Sequence, residues 1–573
     1  MYKISKSILF SIYSYNKLKT LSLVIMLILG TFIEGLSIVI IFPVLELLIN
    51  NENNNIFYKL IPYFDNNRDK VLFNSILIIS VIFFIKSVFL VAFSWWRTGY
   101  HKKLNEHFRV KILKKYILND YLFFVKNKAS ILLRNSYNEI SFFVQTVDTL
   151  LKLIAEIFVF LIIFIILAYF QLKFTLTILA IFFIFSCTYF LFIKKKLSFW
   201  SEGKIKYSGK IIQILQQSFD SIKFIKIKNL ENKILKDYED KVINFAKFNR
   251  YQYFITEMPR IFLEVLGVGC LLFLLFILYN ENKSDLSYLV PSLGLFAVSA
   301  FRILPSVNRI INGAQGILNA SASIKVIFDS FSTENTRIQN HKFKNFNFQK
   351  KIEIKNLSFK YPKSENNVLQ NINLEIKKND FICIVGESGT GKTTLSDLIL
   401  GLLKPSKGEI LIDGQNLNDE NLKDWQKNIG YVPQNIILFN DTIKENITLA
   451  KETEKIDSDM LDQVVESAQL AEMTSNKKDN LDFIIDEKGK NLSAGQIQRV
   501  AIARALFSKP EILIFDEFTS SLDQKTQGKI LDVINKISKN KTIILISHTK
   551  DVISMASKII QIEKSGDIKV INK

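Results

Sequence analysis

At 573 residues the chain is too long for one ordinary domain. Its hydrophobic residues reach 49% and its mean hydropathy is positive, which argues against a wholly soluble protein. The formal charge of +20 comes with no nucleic-acid motif, and its lysines cluster beside apolar runs as topology signals, so nucleic acid is not an expected partner. Heavy use of Lys, Ile, Asn and Phe also points to a compositionally biased genome, and three cysteines make neither a disulfide framework nor a metal site.

The first apolar run, Leu21 to Phe42, exceeds a signal-peptide core and lacks a small-residue cleavage site, so it is expected to stay as an anchor. Six stretches are long and apolar enough to cross a hydrocarbon core of about 30 Å. They lie near 21–43, 71–95, 150–170, 174–193, 261–279 and 288–308, the third and fourth joined only through Gln171, Leu172 and Lys173. Between the first two lies a short apolar-aromatic segment, Ile56, Phe57, Tyr58, Leu60, Ile61, Tyr63 and Phe64.

Basic residues set the orientation. Lys3, Lys6, Lys17 and Lys19 precede the first span, Lys102, Lys103, Arg109, Lys111, Lys114 and Lys115 follow the second, and Lys194 to Lys196 follow the fourth. Both termini are therefore expected in the cytoplasm. The long connections 96–149 and 194–260 carry helical periodicity, so spans two to five are expected to run on as arms of roughly 30 Å. Each arm has a candidate turn, near Asp120–Lys128 and near Asp220–Leu230, suited to contacting the domain that follows.

Ionisable groups inside spans default to functional hypotheses. Lys86, Arg260, Arg302 and Arg309 form a cationic ladder from the cytoplasmic side to mid-membrane, suited to a diphosphate- or carboxylate-bearing substrate. The competing reading is that they neutralise Glu34, Glu156 and Glu264. Pro305, between two of the arginines, weakens the helix there.

Residues 1–330 thus read as a helical membrane domain, 331–350 as a polar linker and 351–573 as an α/β domain. Gly386-Glu-Ser-Gly-Thr-Gly-Lys-Thr393 fits a phosphate loop; it follows a predicted buried strand, Phe381 to Val385, and precedes a predicted helix, Thr394 to Leu403. Its glycines let backbone N–H groups wrap phosphates, Lys392 adds positive charge and Thr393 a magnesium ligand. Ile512 to Asp516 reads as an apolar strand ending in acids, with Asp516 expected on magnesium and Glu517 on the attacking water.

Leu492-Ser-Ala-Gly-Gln496 resembles the LSGGQ signature of ATP-binding-cassette (ABC) transporters, with Ala494 in place of a glycine. The resemblance covers essentially the whole chain and implies the type IV exporter fold: six spans with long cytoplasmic extensions, fused to a P-loop ATPase. It implies nucleotide contacts by Tyr361, by Gly386, Glu387, Ser388, Gly389, Thr390, Gly391, Lys392, Thr393 and Thr394, and by Ser493, Gly495, Gln496 and Asp523. Gln434 and His548 match the Q-loop and switch residues, catalytic partners of Glu517, with Gln434 also a magnesium ligand. ATP and Mg2+ are the implied cofactors. One phosphate loop and one signature per chain imply a homodimer with two composite sites.

Met258-Pro-Arg-Ile-Phe-Leu-Glu264 and Phe301-Arg-Ile-Leu-Pro-Ser-Val-Asn-Arg-Ile310 resemble bacterial lipid-linked oligosaccharide flippases of protein N-glycosylation (the PglK type). In those proteins an external helix at the place of Ile56–Phe64 meets the lipid tail; an ordinary hydrophobic loop is the other reading of that segment. The function so implied is outward flipping of a polyprenyl-diphosphate-linked oligosaccharide in the bacterial cytoplasmic membrane, with export of a drug, peptide or other lipid as the alternative.

Overall fold

The computed structural model describes residues 16–39, 68–170, 172–281, 286–332, 348–362, 364–450, 456–470, 481–486, 489–518 and 522–572. The external segment Ile56–Phe64 lies outside the described residues, as does most of the predicted linker. The chain divides into two compact units, Met1–Asn119 with Lys126–Asn335, and Asp120–Val125 with Thr336–Lys573.

The first unit is helical. The helices of this part of the chain are α1 (Lys17–Val39), α2 (Arg68–Ile117), α3 (Tyr121–Lys126, all but its last residue counted with the second unit), α4 (Ala129–Arg134), α5 (Ile140–Phe170), α6 (Leu172–Asp220), α7 (Ile222–Lys228), α8 (Glu231–Glu281), α9 (Leu286–Asn319) and α10 (Ser321–Ser332). A five-residue π segment, Asn135–Glu139, links α4 to α5. Predicted spans two to six fall within long helices and the described part of the first, 21–39, lies in α1; the arms are continuations of α2, α5, α6 and α8 without a break at the polar boundary. The short helices α3 and α7 occupy the two candidate turns; Asn229, at φ 51°, closes α7 in the left-handed conformation that asparagine tolerates. The backbone at Pro305 stays helical, so the local weakening does not interrupt α9.

Packing follows the apolar stripes. Val159 and Ile163 of α5, Leu263 of α8 and Ile311 of α9 are buried in one cluster. At Gly313 a Cβ would stand 3.1 Å from the Leu153 side chain, so the small residue lets α9 and α5 approach closely. The outer faces are apolar too: Phe84, Val91 and Trp95 of α2 are each at least 70% exposed, which lipid tolerates and water does not. Among the described residues, two helices are apolar enough over sufficient length to cross a membrane, within Phe73–Ile117 and Thr175–Asp220.

The second unit holds two sheets. An antiparallel sheet has the order β2-β1-β4-β5, from β1 (Lys351–Phe359), β2 (Leu369–Lys377), β4 (Lys407–Ile412) and β5 (Gln415–Asn416). The other has the order β10-β9-β3-β8-β7-β6, built of β3 (Phe381–Gly386), β6 (Ile429–Val432), β7 (Ile512–Asp516), β8 (Thr542–Ile546), β9 (Lys558–Ile562) and β10 (Ile568–Asn572). All its pairings are parallel except β9 with β10. Strands β7 and β8 are buried along their whole length, which is why they read as unbroken apolar runs. Around the sheets lie α11 (Lys392–Ile399), α12 (Leu422–Lys427), α13 (Ile443–Thr448), α14 (Ser458–Ser467), α15 (Ala494–Phe507), α16 (Gln524–Ser538) and α17 (Lys550–Met555). Leu122 of α3 packs on this unit's core.

One predicted boundary moves. The helix after the phosphate loop spans Lys392–Ile399, not Thr394–Leu403. Lys392 and Thr393 form its first turn, and Gly401, at φ 68°, turns the chain away after Leu400.

Candidate nucleotide site

The C-terminal ends of parallel strands are where open α/β sheets gather chemistry. Here the loop after β3, the acids ending β7 and the histidine two residues beyond β8 share that edge.

The loop is shaped by close backbone approach. A Cβ at Gly386 would stand 2.7 Å from the Ile562 carbonyl oxygen and from Thr390 Oγ1, and one at Gly391, at φ 100°, 2.9 Å from Val368. Only glycine fits either place. Lys392 is buried and folds back over the loop, its Nζ donating to the carbonyls of Gly386 (3.0 Å) and Glu387 (2.9 Å). Thr390 Oγ1 donates to the Glu387 carbonyl at 3.0 Å, while Glu387 itself pairs with Lys564 at 2.8 Å. Thr393 is exposed at the mouth; Thr394 is buried, its hydroxyl 3.2 Å from that of Tyr361. The Tyr361 ring stands edge-on to Phe359, leaving it partly exposed beside the loop.

Asp516 is buried, and its Oδ1 has no hydrogen-bond partner among the described residues. Burial raises its pKa to about 6, helped by Glu517 and opposed by Lys392. A buried acceptor left open beside a lysine and an exposed threonine fits a hard cation with oxygen ligands. Sequence reasoning missed a second acid, Asp397 of α11, whose pKa burial and the charge of Asp516 also raise to about 6. Asp397 is the one carboxylate of this helix, five residues after Lys392, and no local pattern marks it.

Glu517 is held in an uncommon conformation, φ 42°, with its N–H donating to the Ile546 carbonyl at 2.9 Å. Gln434 Nε2 donates to its Oε2 at 2.7 Å and His548 Nε2 lies 3.3 Å from its Oε1. Two residues far apart in sequence therefore converge on one carboxylate.

The signature residues sit elsewhere on this unit. Ser493 caps α15 through a reciprocal pair: its hydroxyl accepts from the Gln496 N–H at 3.3 Å, and Gln496 Oε1 accepts from the Ser493 N–H at 2.7 Å. Both Ser493 and Ala494 are exposed, presenting a helix N-terminus outward. Gly495 is buried instead, and a Cβ there would stand 2.6 Å from Thr526 Cγ2, so this glycine serves the packing of α15 on α16. Asp523 caps α16, accepting from the Thr526 N–H at 3.1 Å, and that bond lowers its pKa. Neither signature nor cap residue meets the phosphate loop within the unit's described contacts.

In the first unit, Arg309 Nη1 lies 2.6 Å from Glu156 Oε1, and Ser306 Oγ donates to the other oxygen at 2.8 Å. Arg260 pairs with Glu264 at 3.1 Å. Lys86 stacks its ammonium 5.0 Å from the Phe83 ring centroid. Arg302 lies on α9, one helical turn before Ser306.

A phosphate loop, an open buried aspartate and a bracketed glutamate at one sheet edge, in a chain whose other unit is a bundle of long apolar helices, define a membrane protein with a cassette ATPase domain. The family described as ABC transporter matches residues 369–520, and the family described as ABC transporter transmembrane region matches residues 20–300. The chain belongs to the ABC transporters. It is 37% identical over 270 residues to the alpha-hemolysin translocation ATP-binding protein HlyB of Escherichia coli O157:H7, covering 46% of this chain and 37% of that protein. It is 40% identical over 220 residues to the leukotoxin translocation ATP-binding protein LktB of a Pasteurella haemolytica-like species, covering 38% and 30%. The matches thus span about a third of those relatives' lengths. In fold it is similar to a bacterial Atm1-family ABC exporter with ATP bound, at a TM-score of 0.79, with 19% identity over 97% of this chain and 95% of that one.

Proposed function

We propose that this chain is an ATP-hydrolysing half-transporter, working as a homodimer in the bacterial cytoplasmic membrane with both termini in the cytoplasm. The observation that carries the reading is the convergence of Gln434 and His548 on the Glu517 carboxylate beside the phosphate loop. Glu517 accepts a proton from the attacking water as the γ-phosphoryl group transfers, while Gln434 and His548 fix the carboxylate's two oxygens. Thr393 and Asp516 would hold Mg2+, with Gln434 able to join them, and the ion would neutralise charge developing on the phosphates. Lys392 exchanges its loop carbonyls for phosphate oxygens. Because Ser493 opens a helix start turned outward, Ser493 and Gln496, with the backbone of Gly495 behind them, would meet nucleotide bound to a second copy. Asp120–Val125, as part of the second unit, carries motion between ATPase and bundle.

For the cargo, we favour a polyprenyl-diphosphate-linked oligosaccharide or related glycolipid. Arg309 and Arg260 remain 55% and 67% exposed despite their carboxylate partners, so both can exchange those partners for an anionic head group. Lys86 and Arg302 would extend the same path. The relatives named for toxin translocation favour a second reading, export of a polypeptide or other hydrophobic cargo.

The test is ATP-dependent movement of labelled lipid-linked glycan in proteoliposomes, with ATPase rate and protein yield measured on the same preparations. Arg302→Gln with Arg309→Gln is expected to lower movement by tenfold or more, since a charge-assisted contact contributes roughly 1.5–3 kcal/mol. If the arginines only balance buried acids, yield and ATPase fall together instead. Wild-type movement in the double variant would sink the charged-cargo reading and leave the general exporter.

A further inference from the structure

Within the first unit, a cavity of about 440 Å³ opens between the π segment with the start of α5, the arm regions of α6 and α8, and the α9–α10 junction. All of these walls lie outside the predicted spans. The volume falls in the roughly 300–1,000 Å³ range of small-molecule sites.

Two charged side chains line it, of opposite sign. Glu139 is 2% exposed and is held by Arg134 at 3.4 Å. Arg134 is itself fixed by bonds to the Ile205 carbonyl (3.0 Å) and Asn135 Oδ1 (2.9 Å). Gly209 gives it room, since a Cβ there would stand 2.9 Å from its Nη1. Lys204 lies 5.3 Å from the Phe142 ring centroid and 5.8 Å from that of Phe245, both of which also wall the cavity.

The neutral lining is what selects a ligand. Gln252, 6% exposed, has an Nε2 with no hydrogen-bond partner among the described residues, and the same holds for Asn319 Oδ1 and Glu139 Oε2. One donor and two acceptors on residues of this lining are thus buried without a protein partner. A hydroxyl both donates and accepts, so a polyol satisfies all three where an anion or a cation satisfies only part. Flat rings beside amide side chains add apolar surface for the C–H faces of a sugar. A π segment at such a wall is also unusual, because π turns are rare and concentrate at functional sites.

We infer that this cavity binds a neutral, hydroxyl-rich head group, one or two sugar rings in size, through Gln252, Asn319 and Glu139. Its role as a cargo station rests on the glycolipid reading above; its ligand chemistry does not.

Equilibrium binding of N,N′-diacetylchitobiose and of lactose to the purified full-length chain tests this, with inorganic phosphate as the charged control. Saturable binding of a disaccharide is expected, weakened about tenfold by Gln252→Met and again by Asn319→Leu. Thermal unfolding of each variant checks that the bundle still folds. The inference is overturned if folded wild-type protein binds neither disaccharide, if phosphate binds there instead, or if the double variant binds as well as wild type. Movement of lipid-linked glycan in proteoliposomes separates this from the broader reading. Movement without disaccharide binding removes the cavity alone, whereas disaccharide binding without movement supports the cavity and removes the glycolipid cargo.

Discussion

Glu517, the proposed general base, stands in a backbone conformation that costs free energy, and two side chains hold its carboxylate in place. Glu517→Gln keeps the shape and loses the base, so nucleotide binding is expected to persist while steady-state ATPase falls by a hundredfold or more, an order typical of lost general bases. Near-normal turnover would remove Glu517 from that role. A second expectation concerns Asp397 and Asp516, both raised from 3.8 to about 6. Their unfolded forms ionise first, so their contribution to stability is present below about pH 4 and is lost as pH rises through 6. In nucleotide-free, chelator-treated protein the unfolding temperature of the ATPase unit should therefore fall between about pH 4 and pH 6. Asp397→Asn should flatten that slope, and an unchanged slope would show that the pair does not govern it. Motif positions made Glu517, Gln434 and His548 legible in the sequence, because each stands at a fixed offset from a strand or loop. Asp397 was not legible, since its importance comes from burial beside Asp516, which no local pattern encodes.

The long helices were readable because apolar runs without breakers continue directly into periodic polar arms, as in α2 and α6. What sequence could not supply was the function of small residues where helices meet. Gly495, expected to contact nucleotide, also lets α15 lie closely on Thr526 of α16. Gly495→Val should therefore force the two helices apart. Overpacking of this kind costs roughly 1–3 kcal/mol, so the ATPase unit should unfold several degrees lower. A variant unfolding at the wild-type temperature would show that the helices part freely. The polar cavity was equally hidden, because Glu139, Lys204, Gln252 and Asn319 come from separate helices and share no spacing.

For the whole molecule, one phosphate loop and one outward-facing signature per chain make composite sites the natural arrangement. Mixing Lys392→Ala subunits with Ser493→Arg subunits puts both lesions in one site and leaves the other intact. Heterodimers are then expected to bind more ATP than either variant homodimer; confirmed heterodimers without that recovery would count against sites shared between copies. The π segment has a consequence of another kind. Each helical residue advances the direction of its side chain by about 100°, and a π turn absorbs one extra residue without lengthening the rod. Asn135–Glu139 therefore acts as a phase shift inside a helix that otherwise runs from Ala129 to Phe170. Arg134 and Glu139 are brought face to face by that offset. Losing a single residue from the segment would restore plain α geometry with α4 left in phase with α5, whereas forcing the same residues into plain α geometry would turn all of α4 by about a quarter of a revolution.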